Sequence, residues 1–113
     1  MSKKDYELIF CIVNQGFSEA VMEAAKNAGA TGGTVMKARG TAAKEAETFF
    51  KITIQPEKEV VMVLIPKALR DGVLHAVYKE AGLGTSGQGI AFSLPVEEAI
   101  GLAPAQEEKK NAQ

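Results

Sequence analysis

Val60-Val61-Met62-Val63-Leu64-Ile65-Pro66 is six consecutive apolar residues closed by a proline, and the rest of the chain is read outward from it. A continuously apolar run of this kind reads as a central strand covered on both faces. Pro66 stands where it can open a helix, at or near the first turn. Leu69, Val73, Ala76, Val77 and Ala81 then recur at helical spacing as one buried stripe, and Gly82 is the expected stop.

Upstream, Phe49 to Gln55 (FFKITIQ) alternates apolar and polar residues as a half-exposed strand does, and Pro56 interrupts the ladder with a bend or bulge. Thr34 to Arg39 is a weaker strand, set between Gly32-Gly33 and Gly40. Thr41 to Thr48, rich in Ala, Lys, Glu and Thr, reads as an exposed loop. Further back, Tyr6 to Val13 (YELIFCIV) is a β-branched and aromatic strand closed by the turn-prone Asn14-Gln15-Gly16. Ser18 is the candidate N-cap of the first helix, Glu19 suits its dipole, and Val21, Ala24, Ala25 and Ala28 form its stripe before Gly29.

Downstream, Gly82 to Gly89 (GLGTSGQG) places four glycines in eight residues, a loop whose backbone can approach a ligand closely. Ile90 to Leu94 is the last strand, ended by Pro95, and Glu97 to Leu102 is expected to form one helical turn. One domain over residues 1–102 is followed by a polar tail, residues 103–113, which is expected to be mobile.

The order is β-α-β-β-α-β, that of a ferredoxin-like α+β sandwich with two helices on one face of an antiparallel sheet. The other face then needs cover. With Ile9, Val61 and Val63 assigned to it, it predicts self-association.

Composition narrows the function. The 113 residues are 46% hydrophobic and 24% charged, which suits one globular domain. A net charge of -1 lacks the basic footprint of a nucleic-acid binder, and 6% aromatic residues argues against an RNA-reading sheet. The polar start, Met1 to Tyr6, and the shortness of the longest apolar run predict a cytoplasmic protein with no membrane insertion. Cys11, the one cysteine, reads as core packing, and His75, the one histidine, reads as a structural residue on the second helix. Glu97 and Glu98 point in different directions and do not make an acid–base pair. No activated nucleophile stands out, so the chain is not expected to be an enzyme. On composition alone, GLGTSGQG is equally an anion-binding concavity and a flexible connection.

In four places the sequence resembles the PII nitrogen-regulatory family, over about Tyr6 to Leu102. Residues 29–35 (GATGGTV) look like its turn into the second strand, and Arg39-Gly40 like the step that opens its signalling loop. Val63-Leu64-Ile65-Pro66 is similar to its strand before the second helix, and Gly84-Thr85-Ser86-Gly87-Gln88-Gly89 to its ligand-binding loop.

The resemblance implies a homotrimer that binds a small ligand, ATP, ADP or AMP, in clefts between subunits and regulates a partner such as a transporter or enzyme. By position, Thr34 and Leu64 match the adenine pocket, Gly40 a loop-base glycine, and Gly87 and Gly89 backbone donors to the phosphates. Gly84, Thr85, Ser86 and Gln88 complete the ligand loop, and Lys44 stands beside Ala43, where the family has an arginine. Other departures are Ile90 in place of a lysine, and Gly101 and Ala103 in place of two arginines. Losing these cations should weaken triphosphate binding, with Lys44, Lys67 and Arg70 the candidates to compensate. The competing readings are a ferredoxin-like enzyme acting on a small acid or phosphate, and a structural trimer whose cleft has decayed.

Overall fold

The computed structural model describes residues 5–41, 56–83 and 89–102. Strand β1, Tyr6–Asn14, leads through a tight turn into helix α1, Ser18–Asn27. Strand β2, Thr34–Arg39, precedes the long strand β3, Glu57–Pro66. A 3-10 turn, Lys67–Leu69, then opens helix α2, Arg70–Glu80, and strand β4, Gly89–Val96, closes the sheet. The four strands lie in the order β2-β3-β1-β4, every neighbouring pair antiparallel. This is the expected ferredoxin-like fold. Residues 49–55, expected as a strand, lie outside the described residues.

Alternation sorts the two central strands into two faces. Ile9, Cys11 and Val13 of β1 and Val61, Val63 and Ile65 of β3 point to the helices and are almost fully buried. They meet Val21, Ala24 and Ala25 of α1 and Val73 and Val77 of α2 in one core. Fully burying each Val or Ile contributes roughly 1.5–3 kcal/mol, so this face fastens the helices to the sheet.

The opposite face carries the even-numbered set: Leu8, Phe10 and Ile12 opposite Leu64, Met62 and Val60 on one side, and opposite Leu94, Phe92 and Ile90 on the other. Ile9, Val61 and Val63 therefore do not belong to the open face; they lie under the helices. Both faces of β1 and β3 are apolar, so the sequence period could not tell which was which. The open face is apolar all the same, with Ile90 58%, Leu94 46% and Phe92 39% exposed. At its centre the Phe10 and Phe92 rings stack, centroids 5.5 Å apart and 2° from parallel.

Three local expectations are corrected. Pro95 does not end β4: it pairs with Glu7 inside the strand, and β4 is an edge strand, the place in a sheet where proline is tolerated. Residues 97–102 form no helical turn. Ser18 is not the N-cap of α1; Phe17 holds that place and caps nothing with its side chain.

The capping comes from another strand. Glu59 of β3 turns toward the helices, and its Oε1 accepts hydrogen bonds from the Gly16 and Ser18 backbone N–H groups at 3.0 and 3.2 Å. The Ser18 hydroxyl also donates to it. That bond, the backbone donors and the nearby Lys37 ammonium hold the Glu59 carboxyl below the usual glutamate range. A carboxyl depressed in the folded state stabilises above its unfolded pKa, and the contribution is lost as pH falls through the lower folded value. Glu59→Gln is therefore expected to melt below wild type at neutral pH, the gap closing once both are well into acid. Thermal melts across pH check this, and a gap that persists unchanged in acid would contradict it.

Candidate functional site

Four residues cross one end of the sheet, Gly40, Lys58 and Asn14 at open-face positions and Gly89 at a position facing the helices. β2 ends at Arg39, and the next N–H, that of Gly40, donates to the Pro56 carbonyl at 2.8 Å. Lys58 lies alongside on β3 and its stem packs over Gly40, where an added Cβ would stand 3.1 Å from Lys58 Cγ. Asn14 pairs with Lys58 across the ladder, and the Lys58 Nζ donates to Asn14 Oδ1 at 2.6 Å. Gly89 begins β4 opposite Val13, completing the row. Three inter-strand spacings separate its ends, about 14 Å.

Gly89 has no alternative at its place. Its φ is +151°, and an added Cβ would run into the Ile12 carbonyl oxygen. The ligand-loop end is thus pinned against β1. Gly33 meets a similar constraint where β2 begins: a Cβ there would lie 2.6 Å from the Met62 carbonyl oxygen, so the bare backbone lets the chain pass close to β3.

Thr34 and Leu64, assigned to the adenine pocket, come together but away from this row. Thr34 pairs with Met62, which makes Leu64 its diagonal neighbour on the open face. Measured along β3, the Thr34 level is about 13 Å from Lys58 and Leu64 about 20 Å. One copy does not bring the two groups into a single pocket. Lys44, Gly84, Thr85, Ser86, Gly87 and Gln88, with Ala43 and Ala103, lie outside the described residues.

Beside Gly89 a cavity of about 370 Å³ opens between α2 and β4, lined by Leu74, Tyr78, Leu83, Gly89, Ile90 and Ala91. Its described lining holds no cation. Lys67 and Arg70 are not among its lining residues. Lys67 follows β3, where its N–H donates to the Asp5 carbonyl at 2.9 Å, and Arg70 opens α2 one turn before Leu74, its Nε meeting Asp71 at 3.1 Å.

Lys58 is the functional candidate that the sequence reading missed. Among the described residues no carboxylate stands within ion-pair distance of its ammonium, and its hydrogen-bond acceptor is a neutral amide. Its only signal in the sequence was a lysine between two glutamates at the start of an apolar strand. The partner that gives it meaning is 44 residues away.

The nucleophile candidates do not meet. Cys11 is wholly buried beneath the helices, and burial pushes its thiol up to about 11. His75 is exposed on α2. Among the described residues no three His, Cys, Asp or Glu side chains gather as a metal site would need. No described helix is long and apolar enough to cross a membrane.

Comparison with known proteins agrees with this fold. The family model for nitrogen regulatory protein P-II matches residues 6–106. No curated protein matches the chain. Among solved structures, Arabidopsis thaliana PII bound to citrate is similar at a TM-score of 0.67 and 22% identity, over 88% of this chain and 82% of that one. The Bacillus subtilis GlnK–ATP complex is similar at a TM-score of 0.68 and 17% identity, over 88% and 89% of the two chains. A PII-like signalling protein from Thermus thermophilus gives a TM-score of 0.63 and 17% identity over 85% and 90%. With its open sheet face, its glycine-bounded row and a family match over nearly its whole length, the chain belongs to the nitrogen regulatory protein P-II family.

Proposed function

We propose that this protein is a PII-like regulatory protein, not an enzyme, which binds a small anionic ligand of the adenine-nucleotide class between the copies of a homotrimer. The observation that carries the reading is the row Gly40, Lys58, Asn14, Gly89. An ammonium with a neutral partner stands between the base of the segment that resembles the family's signalling loop and the end of the one that resembles its ligand-binding loop. The similar Bacillus subtilis protein was solved with ATP and the Arabidopsis protein with citrate, both anions.

The second copy enters on two grounds. The apolar open face needs cover, and Thr34 and Leu64 lie too far from the row to complete a pocket in their own chain. A neighbouring copy can present its Thr34 and Leu64 to the base while the row holds the anionic end. The bound state would then pass to a partner protein, a transporter or an enzyme, through the segment following Gly40.

The same geometry sets the preference among nucleotides. Among the described residues one cation stands in the row, worth roughly 1.5–3 kcal/mol in a charge-assisted hydrogen bond, and a monophosphate already satisfies it. Further phosphates would enter the neighbourhood of Ile90 and be desolvated without a compensating charge. ATP is therefore expected to bind no better than AMP. Ile90→Lys should strengthen ATP over AMP by about 1 kcal/mol. Thermal-shift and calorimetric titration with ATP, ADP, AMP and cyclic nucleotides test this. No response to any of them would remove the nucleotide role, and ATP bound at least tenfold more tightly than AMP would refute this picture of the cleft.

The cavity lined by Ile90 favours one competing reading, a structural trimer whose cleft has decayed. It predicts assembly without any nucleotide response.

A further inference from the structure

Lys58 is useful to a ligand only if its ammonium is held in place without being neutralised, and Asn14 meets both conditions. An ammonium has three donors. One goes to Asn14 Oδ1 at 2.6 Å, and the acceptor carries no charge, so the positive charge stays available to an anion at the remaining donors. Asn14 is itself fixed: it is the last residue of β1, 8% exposed, and its carbonyl accepts the Phe17 N–H at 3.2 Å. On the other side the Lys58 stem lies against Gly40. The flexible side chain is thereby confined at both stem and head, which lowers the ordering cost that a free lysine would pay on binding.

We propose that Asn14 is a positioning residue that presents the Lys58 ammonium to the anionic group of the ligand, and that its neutrality sets how strongly that group is held. This rests on the reading of the cleft given above. An aspartate at this position would keep the geometry but cancel the charge, whereas an apolar residue of similar size would leave the charge and lose the anchor.

The test is calorimetric titration of the full-length protein with AMP and with adenosine, which share the base and ribose and differ in the anionic group. The AMP-to-adenosine affinity ratio isolates the anion contact; a purely structural role of Asn14 would move both ligands together. Lys58→Met is expected to collapse the ratio by about tenfold or more. Asn14→Asp should lower it by about tenfold while the protein stays folded, because it adds an ion pair with Lys58. Asn14→Leu should lower it by about threefold, with adenosine affinity unchanged in all three variants.

If both Asn14 variants keep the wild-type ratio while Lys58→Met loses it, the role of Asn14 is overturned and the cleft reading stands. Asn14 equally loses its positioning role if its variants weaken adenosine as much as AMP. If Lys58→Met keeps the ratio, the anion contact itself is wrong and Asn14 falls with it. If wild-type protein binds neither AMP nor adenosine, the cleft reading fails, and this inference fails too.

Discussion

Phe10→Glu is expected to yield a folded monomer. Phe10 sits at the centre of the open face, stacked on Phe92 and flanked by Leu8, Ile12, Met62 and Leu94. It points away from the helix-side core, so the chain should keep its fold. In the assembly, however, every copy would bury a carboxylate against apolar neighbours with no cation to pair it, at an effective cost of several kcal/mol per ion. A standard protein interface does not survive a loss of that size repeated at each contact. Sedimentation equilibrium should find wild type at three times the 12.0 kDa chain mass and the variant at one. A variant that still sediments as a trimer would show that the copies meet through another surface.

Gly89→Ala is expected to be the most destabilising of the conservative changes. The new Cβ would collide with the Ile12 carbonyl oxygen, a backbone atom of the adjacent strand that cannot turn aside, and would crowd Val13 at 3.0 Å. The φ of +151° adds a conformational penalty. Together these should cost roughly 2–4 kcal/mol, in the upper range of single substitutions and enough to lower the melting temperature by about 10 °C or more. The start of β4 should also lift away from β1, displacing Ile90 and weakening any ligand held at the row. A melting temperature within a degree or two of wild type would mean that the loop end is not pinned as described.

The elements were legible because their signals are local. The Val60–Ile65 run and the Val73–Val77 stripe each mark their element without reference to the rest of the chain. What was not legible depends on residues far apart. Strands apolar on both faces, as β1 and β3 are, give no period to show whether Ile9 or Phe10 faces the helices; that is settled by where α1 and α2 pack. Ser18 looks like a cap by its type, yet Glu59, 41 residues later, satisfies the helix start. Pro95 looks like a strand terminator, and only the edge position of β4 makes it harmless. The same holds for the site: Gly40 and Gly89 could be marked as loop boundaries by resemblance, but that Lys58 and Asn14 stand between them follows from the strand register alone.

Whether the ligand is held between copies is decided most directly by titrating AMP into wild type and into monomeric Phe10→Glu. One site per chain is expected in the wild-type trimer and no measurable binding in the monomer, because Thr34 and Leu64 would then have no neighbouring row to face. Equal binding by the two would contradict this and place the whole site within a single chain.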